Sequence, residues 1–339
     1  MYVVDLQSEY YFSNYDVIAN YYCVAKNGVF HNYVDEKVTK PYTCRFCGKK
    51  EPEVSFSDIT HAISECVGNK TLFLKSECVQ CNKRFGKRYE DQFAKYLGPV
   101  RTLSQTKGKK GVPSYKTIDN KFRIDVTDKG VIVQEAEGHK LVDFKDEEII
   151  LNLKKDTYTP LLAYKAMVFM ALSIIPEYEV NAFKETLDWL NEDNLINTCF
   201  DMTSYSSHVI ECFYEGAKPI PLHAVVARRK SEKDVPYAFF ILEFDNYFFQ
   251  IMIPCISEDC KIINKTVTFP IFPSTIDMDP NLCKRRRGVT VKNLSSIEPI
   301  KGESVEIALH YDYREEITGN YSALQNITAE LGVKPINPN

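Results

Sequence analysis

The longest apolar stretch of the chain runs over residues 166–175, about half of the ~20 residues needed to span a bilayer. The pattern predicts a buried core helix instead, opened by Thr159 and Pro160 as N-cap and first helical residue and stopped near Ile175-Pro176. A second helix is predicted over residues 179–190, where Val180, Phe183, Leu187 and Leu190 recur at helical spacing. Residues 237–244 and 247–253 are rich in β-branched and aromatic side chains, and Asp245-Asn246 between them predicts a hairpin. Residues 222–227, 261–269 and 305–311 read as further strands. Residues 1–41, rich in tyrosine and valine, form a lead-in expected to pack on a neighbouring domain. The mixture predicts an α+β fold.

The polar pattern is uneven. Residues 40–120 hold 16 Lys and Arg against eight Asp and Glu, a net +8, while the rest of the 339-residue chain carries −12. The basic segment suits a polyanion, and its sign survives even if four thiolates and one zinc ion lower it by two. Residues 102–114 have the Gly, Pro and Lys composition of a loop. The start of the chain has no basic or apolar leader pattern, so an intracellular, cytoplasmic protein without a membrane segment is expected. Eleven cysteines, an odd number in so long a chain, are then expected to be mostly reduced.

Four of those cysteines are ordered. Cys44-Arg-Phe-Cys47 and Cys78-Val-Gln-Cys81 are two CxxC knuckles separated by 30 residues. Each knuckle offers two thiolates from one tight turn, so together they predict a tetrahedral structural zinc site. Gly48 after the first knuckle suits the left-handed backbone such turns need. With every position filled by sulfur, no place is left for water, so this zinc would staple the segment rather than catalyse.

His61 and the run to Asn69 lie between the knuckles, and Asn82 follows the second knuckle directly. In this order of features the segment from about residue 42 to 98 resembles the four-cysteine branch of the HNH (ββα-metal) endonucleases. The resemblance implies that His61 is the general base that deprotonates the attacking water. It implies that Asn82 ligates a catalytic divalent cation, Mg²⁺ or Mn²⁺. Thr60 departs from the pattern, standing where many members carry an acidic ligand. Asp58, two residues earlier on the expected strand and hence on the same face, is the substitute to consider first, with Glu90 behind it. Asn69 falls at either a second glycine or the middle asparagine of the motif.

The helix opened by Cys78 is expected to bury Phe85, Tyr89, Phe93 and Tyr96 on one face and to present Lys83, Arg84, Lys87, Arg88 and Lys95 mostly off it. Lys83, Arg84, Lys87 and Arg88, with Arg101, Lys107, Lys109 and Lys110 beyond, are the candidate contacts to nucleic-acid phosphates, which position a substrate without reading its sequence. Lys284-Arg-Arg-Arg287 is a further basic run, read as an exposed charge cluster. Cys23, Cys66, Cys199, Cys212, Cys255, Cys260 and Cys283 carry no ligand spacing, and His208 and His223 read as ordinary core or surface histidines. No P-loop, GxSxG or HExxH motif occurs.

These readings divide the chain into the lead-in (1–41), a zinc-stapled HNH module (42–98), a basic linker (99–118) and a larger acidic α+β domain (119–339) that recognises or regulates. The expected function is hydrolysis of nucleic-acid phosphodiesters, DNA first, with an activating ligand or protein on the large domain. The run from Thr60 to Lys116 is similar to bacterial HNH proteins of antiphage defence. A non-catalytic zinc ribbon that binds nucleic acid is the alternative.

Overall fold

β-Branched and aromatic runs fold as strands here, and the evenly apolar run after Thr159 folds as a buried helix. The computed structural model describes residues 3–23, 32–145, 147–193, 206–214, 220–231, 233–263, 265–267, 269–275, 287–318 and 321–336. In chain order the elements are α1 (Val3–Asn14), β1 (Tyr15–Cys23), β2 (Asn32–Tyr33), β3 (Thr60–His61), β4 (Leu72–Leu74), α2 (Val79–Phe85), α3 (Asp91–Leu97) and α4 (Val100–Leu103). They continue with β5 (Tyr115–Lys116), β6 (Phe122–Thr127), β7 (Gly130–Glu135), β8 (Val142–Lys145), β9 (Glu148–Lys154), α5 (Pro160–Ile174) and α6 (Lys184–Asn191). The last strands are β10 (His208–Tyr214), β11 (Ile220–Arg229), β12 (Ala238–Asp245), β13 (Tyr247–Ile253), β14 (Arg287–Asn293) and β15 (Ser304–His310). The class is α+β, as the pattern predicts, with a small four-cysteine module ahead of more extensive mixed structure.

Compact units do not follow linear order. One joins Met1–Phe93 to Tyr158–Pro299; the other joins Ala94–Thr157 to Ile300–Asn339. The stretch 119–339 is therefore shared between both units. The knuckles and His61 belong to the same unit as most of the protein's buried core.

That first unit is built on a six-stranded antiparallel sheet in the order β1-β11-β12-β13-β10-β14. The lead-in supplies its edge strand β1, and α1 lays Tyr11 against Phe239 and Phe272, with ring centroids 5.0 and 4.9 Å apart. On α5, Tyr164 is fully buried and donates its hydroxyl to the β13 carbonyl of Met252 at 2.8 Å. Nearly every residue of α5 is buried, as a helix apolar on all sides must be. Its N-terminus falls at Thr159-Pro160 as expected. The β12–β13 hairpin turns at Asp245-Asn246, where Asp245 takes φ +50°.

One expected strand fails. The described part of 261–269 contains no strand; a short helix, Ile256–Asp259, runs into a turn in which the Asp259 carbonyl accepts from the Ile262 and Ile263 amides. Local helical closure outcompetes pairing there. No described helix is long and apolar enough to cross a membrane.

In the second unit, β5-β6-β7 and β8-β9-β15 form two three-stranded antiparallel sheets. Phe122, Ile124, Leu151 and Leu153 make its core.

Candidate metal and nuclease site

The first knuckle turns because the Gly48 amide donates back to the Cys44 carbonyl at 2.8 Å with Gly48 at φ +70°. The second opens α2, with Cys78 as N-cap and its sulfur accepting from the Cys81 amide at 3.5 Å. The two are tied by Arg45 N, which donates to Ser76 O at 2.8 Å, and Asp35 braces the chain before the second knuckle, its carboxylate oxygens accepting from the Lys75 and Ser76 amides at 2.8 and 2.7 Å.

The four Sγ atoms all lie within 4.8 Å of one another, with Cys47 and Cys78 at 3.8 Å. Tetrahedral zinc with Zn–S bonds of about 2.3 Å requires sulfurs about 3.8 Å apart, so the cluster fits zinc. The Cys81 thiol, donating to the Cys44 sulfur, pulls Cys44 down to about 5, and that same bond pushes Cys81 far up; burial pushes Cys78 up to about 11. Four thiolates so close cannot coexist without a cation at their centre. Among the described residues this is the one group of three or more Cys, His, Asp or Glu whose ligand atoms converge.

His61 sits on β3 opposite Phe73 of β4, half-buried, its ring centroid 4.8 Å from that of Phe73. Thr60, one residue earlier, points inward: it is buried, and its hydroxyl donates to the carbonyl of its cross-strand partner Leu74. Asp58 lies exposed on a bend outside the two-residue strand, so the expected shared face with Thr60 is not formed. The chain from Ile63 to Leu72 is folded around Asn69. This fully buried amide donates to Ile63 O and Leu72 O at 2.6 and 2.8 Å and accepts from the Thr71 and Leu72 amides at 3.1 and 3.0 Å. Asn69 therefore acts as the clamp of the loop that follows His61.

Asn82 falls in the first turn of α2, half-buried, with its amide bonded to Cys78 O at 3.0 Å. The zinc knuckle thus fixes the backbone that carries it. Beyond Phe85 the helix passes through a π-turn, Gly86–Glu90, into α3. Phe85, Tyr89, Phe93 and Tyr96 are all buried. The Glu90 carboxyl is raised, first by burial, although Ser64 bonds it. Glu77, just before the second knuckle, is buried and raised well above the carboxylate range by burial and by Cys44 and Glu90.

The basic residues divide into two kinds. Lys83 and Lys87 are exposed on the helix, and Lys107, Lys109 and Lys110 on the loop around the Gly108–Gly111 turn; Arg101 is half-buried. Arg84 and Arg88 instead bind within the chain. Arg84 donates to the Asn191 side-chain oxygen, and Arg88 donates to the side chain and carbonyl of Asp193 at 2.9 and 2.6 Å. Arg45, between the first two cysteines, has a structural role that spacing alone did not reveal. It is buried, and its Nη1 donates to the Leu172, Ser173 and Ile175 carbonyls at 2.9–3.0 Å, closing the C-terminal end of α5. Lys284, Arg285 and Arg286, and Cys199 and Cys283, lie outside the described residues, as does the Arg287 side chain.

The remaining candidates are accounted for by local structure. His223 is a satisfied core histidine, with Nδ1 2.7 Å from Glu243 and Nε2 2.9 Å from Asn20, stacked on Tyr22; His208 is exposed. Cys212 and Cys255 are buried, Cys23 and Cys66 half-buried, and Cys260 exposed.

A sequence model described as HNH endonuclease matches residues 44–97, from the first knuckle to the end of α3. No curated protein and no solved structure matches the chain. The segment is thus an HNH endonuclease module with a four-cysteine cluster suited to zinc, and its family points to a nuclease acting on nucleic acid.

Proposed function

We propose that residues 44–97 hydrolyse phosphodiesters in nucleic acid, DNA being the substrate to test first, with His61 as general base. The observation that carries this reading is the placement of His61. It stands one-quarter exposed on a strand whose following loop is clamped by Asn69, on the four-cysteine frame that also carries Asn82. A neutral imidazole near pH 7 accepts a proton from water, whose oxygen attacks phosphorus while one bridging P–O bond breaks. The departing oxygen takes its proton from solvent. Asn82 offers an amide oxygen of the kind a hard cation accepts, and Mg²⁺ commonly keeps several waters and binds substrate phosphate alongside few protein ligands. Magnesium or manganese, when bound, supplies positive charge that offsets the charge developing on the phosphate. Lys83 and Lys87 on the helix, and Arg101, Lys107, Lys109 and Lys110 beyond it, would meet backbone phosphates. The structure outside the module would then recognise a ligand or partner and restrain cutting, with antiphage defence as the setting.

The test is plasmid cleavage with Mg²⁺ or Mn²⁺ by the full chain and by His61→Ala, with zinc content measured in both. Cleavage that falls by about 10²–10⁴-fold in the variant, with one zinc retained per chain, supports the reading. Undiminished cleavage by His61→Ala overturns the base assignment. One observation favours a second reading: the position where many family members carry an acidic metal ligand is held by Thr60, which is buried with its hydroxyl donated to Leu74 O. On that reading the module is a non-catalytic zinc ribbon, and the wild-type chain binds DNA tightly without cutting it under either metal.

A further inference from the structure

Four residues after His61 the chain places a carboxylate beside the imidazole. Ser64 begins a 3₁₀ turn by accepting the Cys66 amide at 3.2 Å, and Gly68, at φ +91°, ends it by donating to Glu65 O at 3.1 Å. The turn is held from below by Asn69, whose side chain bonds Ile63 O, two residues before Glu65. Glu65 Oε1 consequently stands 3.8 Å from His61 Nε2 and 2.8 Å from Lys70 Nζ, and both His61 and Glu65 are three-quarters buried. Phe73 packs on the ring and limits its rotation. Among the described residues, Lys70 neutralises part of the Glu65 charge, and the neighbouring Glu90 carboxyl is tied to the Ser64 hydroxyl.

An imidazole has two nitrogens, and only the one without hydrogen can act as a base. The partner of the other nitrogen decides which that is. We infer that Glu65 is the positioning residue for His61, receiving Nε2–H and leaving Nδ1 as the basic nitrogen. The separation of 3.8 Å is an ion-pair distance, longer than a hydrogen bond, and such contacts are commonly long before substrate is bound. When Nδ1 takes the proton of water, Nε2–H stays directed at the Glu65 carboxylate, which faces the new imidazolium. Lys70 holds the carboxylate in place. This inference rests on the nuclease reading for its catalytic consequence, but its structural half is independent of it.

The test uses the full zinc-loaded chain with ¹⁵N-labelled histidine, the His61 signals being assigned by their loss in His61→Ala. The wild type is expected to show the Nε2–H tautomer at pH 8. Glu65→Ala should yield a tautomer mixture, and Glu65→Gln, which still accepts a hydrogen bond, should restore the wild-type signal. In cleavage assays Glu65→Ala should lower kcat by about 10–100-fold with KM for DNA within twofold. Glu65→Gln should recover part of that loss and shift the acid limb of the pH–rate profile to lower pH. If Glu65→Ala leaves both tautomer and kcat unchanged while the wild type cuts, the inference about Glu65 is overturned and the nuclease reading stands. If the wild type does not cut, that reading fails and the tautomer alone decides: a mixture in Glu65→Ala supports the positioning contact, and an unchanged signal overturns it.

Discussion

Lys165 lies in the middle of the core helix α5, almost without exposure, and donates its amine to the Trp189 carbonyl at 2.7 Å while lying 4.1 Å from the Trp189 ring. Burial, helped by the Arg88 charge, brings its pKa from 10.5 down to about 7, against the smaller opposing pull of Glu192. In the unfolded chain the amine titrates near 10.5, so between pH ~7 and ~10.5 the unfolded state binds the extra proton and stability rises with pH. Below pH 7 both states are charged and the full cost of the buried charge is present. At about 1.4 kcal/mol per pH unit, that cost is about 5 kcal/mol. Lys165→Met keeps the length of the side chain and removes the charge. It also loses the hydrogen bond and the ring contact, together about 2 kcal/mol. The variant is therefore expected to be about 3 kcal/mol more stable than wild type at pH 6, with the advantage shrinking and reversing by pH 10. Urea denaturation of both proteins at pH 6, 7, 8, 9 and 10 measures the difference, and effects common to both, such as those of the zinc thiolates, cancel. A variant less stable than wild type at every pH, or a difference that does not change with pH, would refute the reasoning.

Three further outcomes follow from contacts described above. Arg45→Met strips three carbonyls of their partner and should lower unfolding stability by about 3 kcal/mol, about 1 kcal/mol for each hydrogen bond left unmade, read as a lower urea midpoint at unchanged slope. Asn69→Ala leaves four buried backbone bonds unmade around the loop after His61 and should cost about 3 kcal/mol or more; thermal melting gives the cost, and retained zinc shows that the damage is confined to the loop. Lys83→Ala and Lys87→Ala should each reduce the salt slope of DNA binding by about 0.9 at unchanged melting temperature. Arg88→Ala should do the reverse, melting lower at an unchanged slope.

The parts of the site that could be read from sequence are those whose chemistry is local. A CxxC knuckle is a turn of a few residues, so Cys44, Cys47, Cys78 and Cys81 announce their cluster by spacing, and Asn82 follows from its place after the last cysteine. The core helix and the β12–β13 hairpin were legible for the same reason, since a proline at N1 and an Asp-Asn turn act over two residues. What the sequence concealed depends on partners far along the chain. Arg45 reads as one more basic residue until α5, more than 120 positions later, presents its carbonyls. Arg84 and Arg88 look like phosphate contacts until Asn191 and Asp193 arrive. Asp58 was expected on a strand face because a longer strand was assumed; β3 is two residues long, so alternation does not reach it. The partnership of Glu65 with His61 was hidden because a separation of four residues means adjacency only where the chain curls, and nothing in that run announces a 3₁₀ turn.

The seam of rings on the helix after the second knuckle has a consequence for anyone who would move this HNH module elsewhere. Phe46 and Phe85 each lie 4.8 Å from Phe169 of α5, Phe93 lies against Phe249 of β13, and the Tyr89 hydroxyl donates to Leu190 O. Cut out along its motif boundaries, the fragment would keep its zinc and display those rings to water as one adhesive stripe. A graft that is to remain soluble must carry α5 and the neighbouring strands with it, so the smallest transplantable form of this module is longer than its signature.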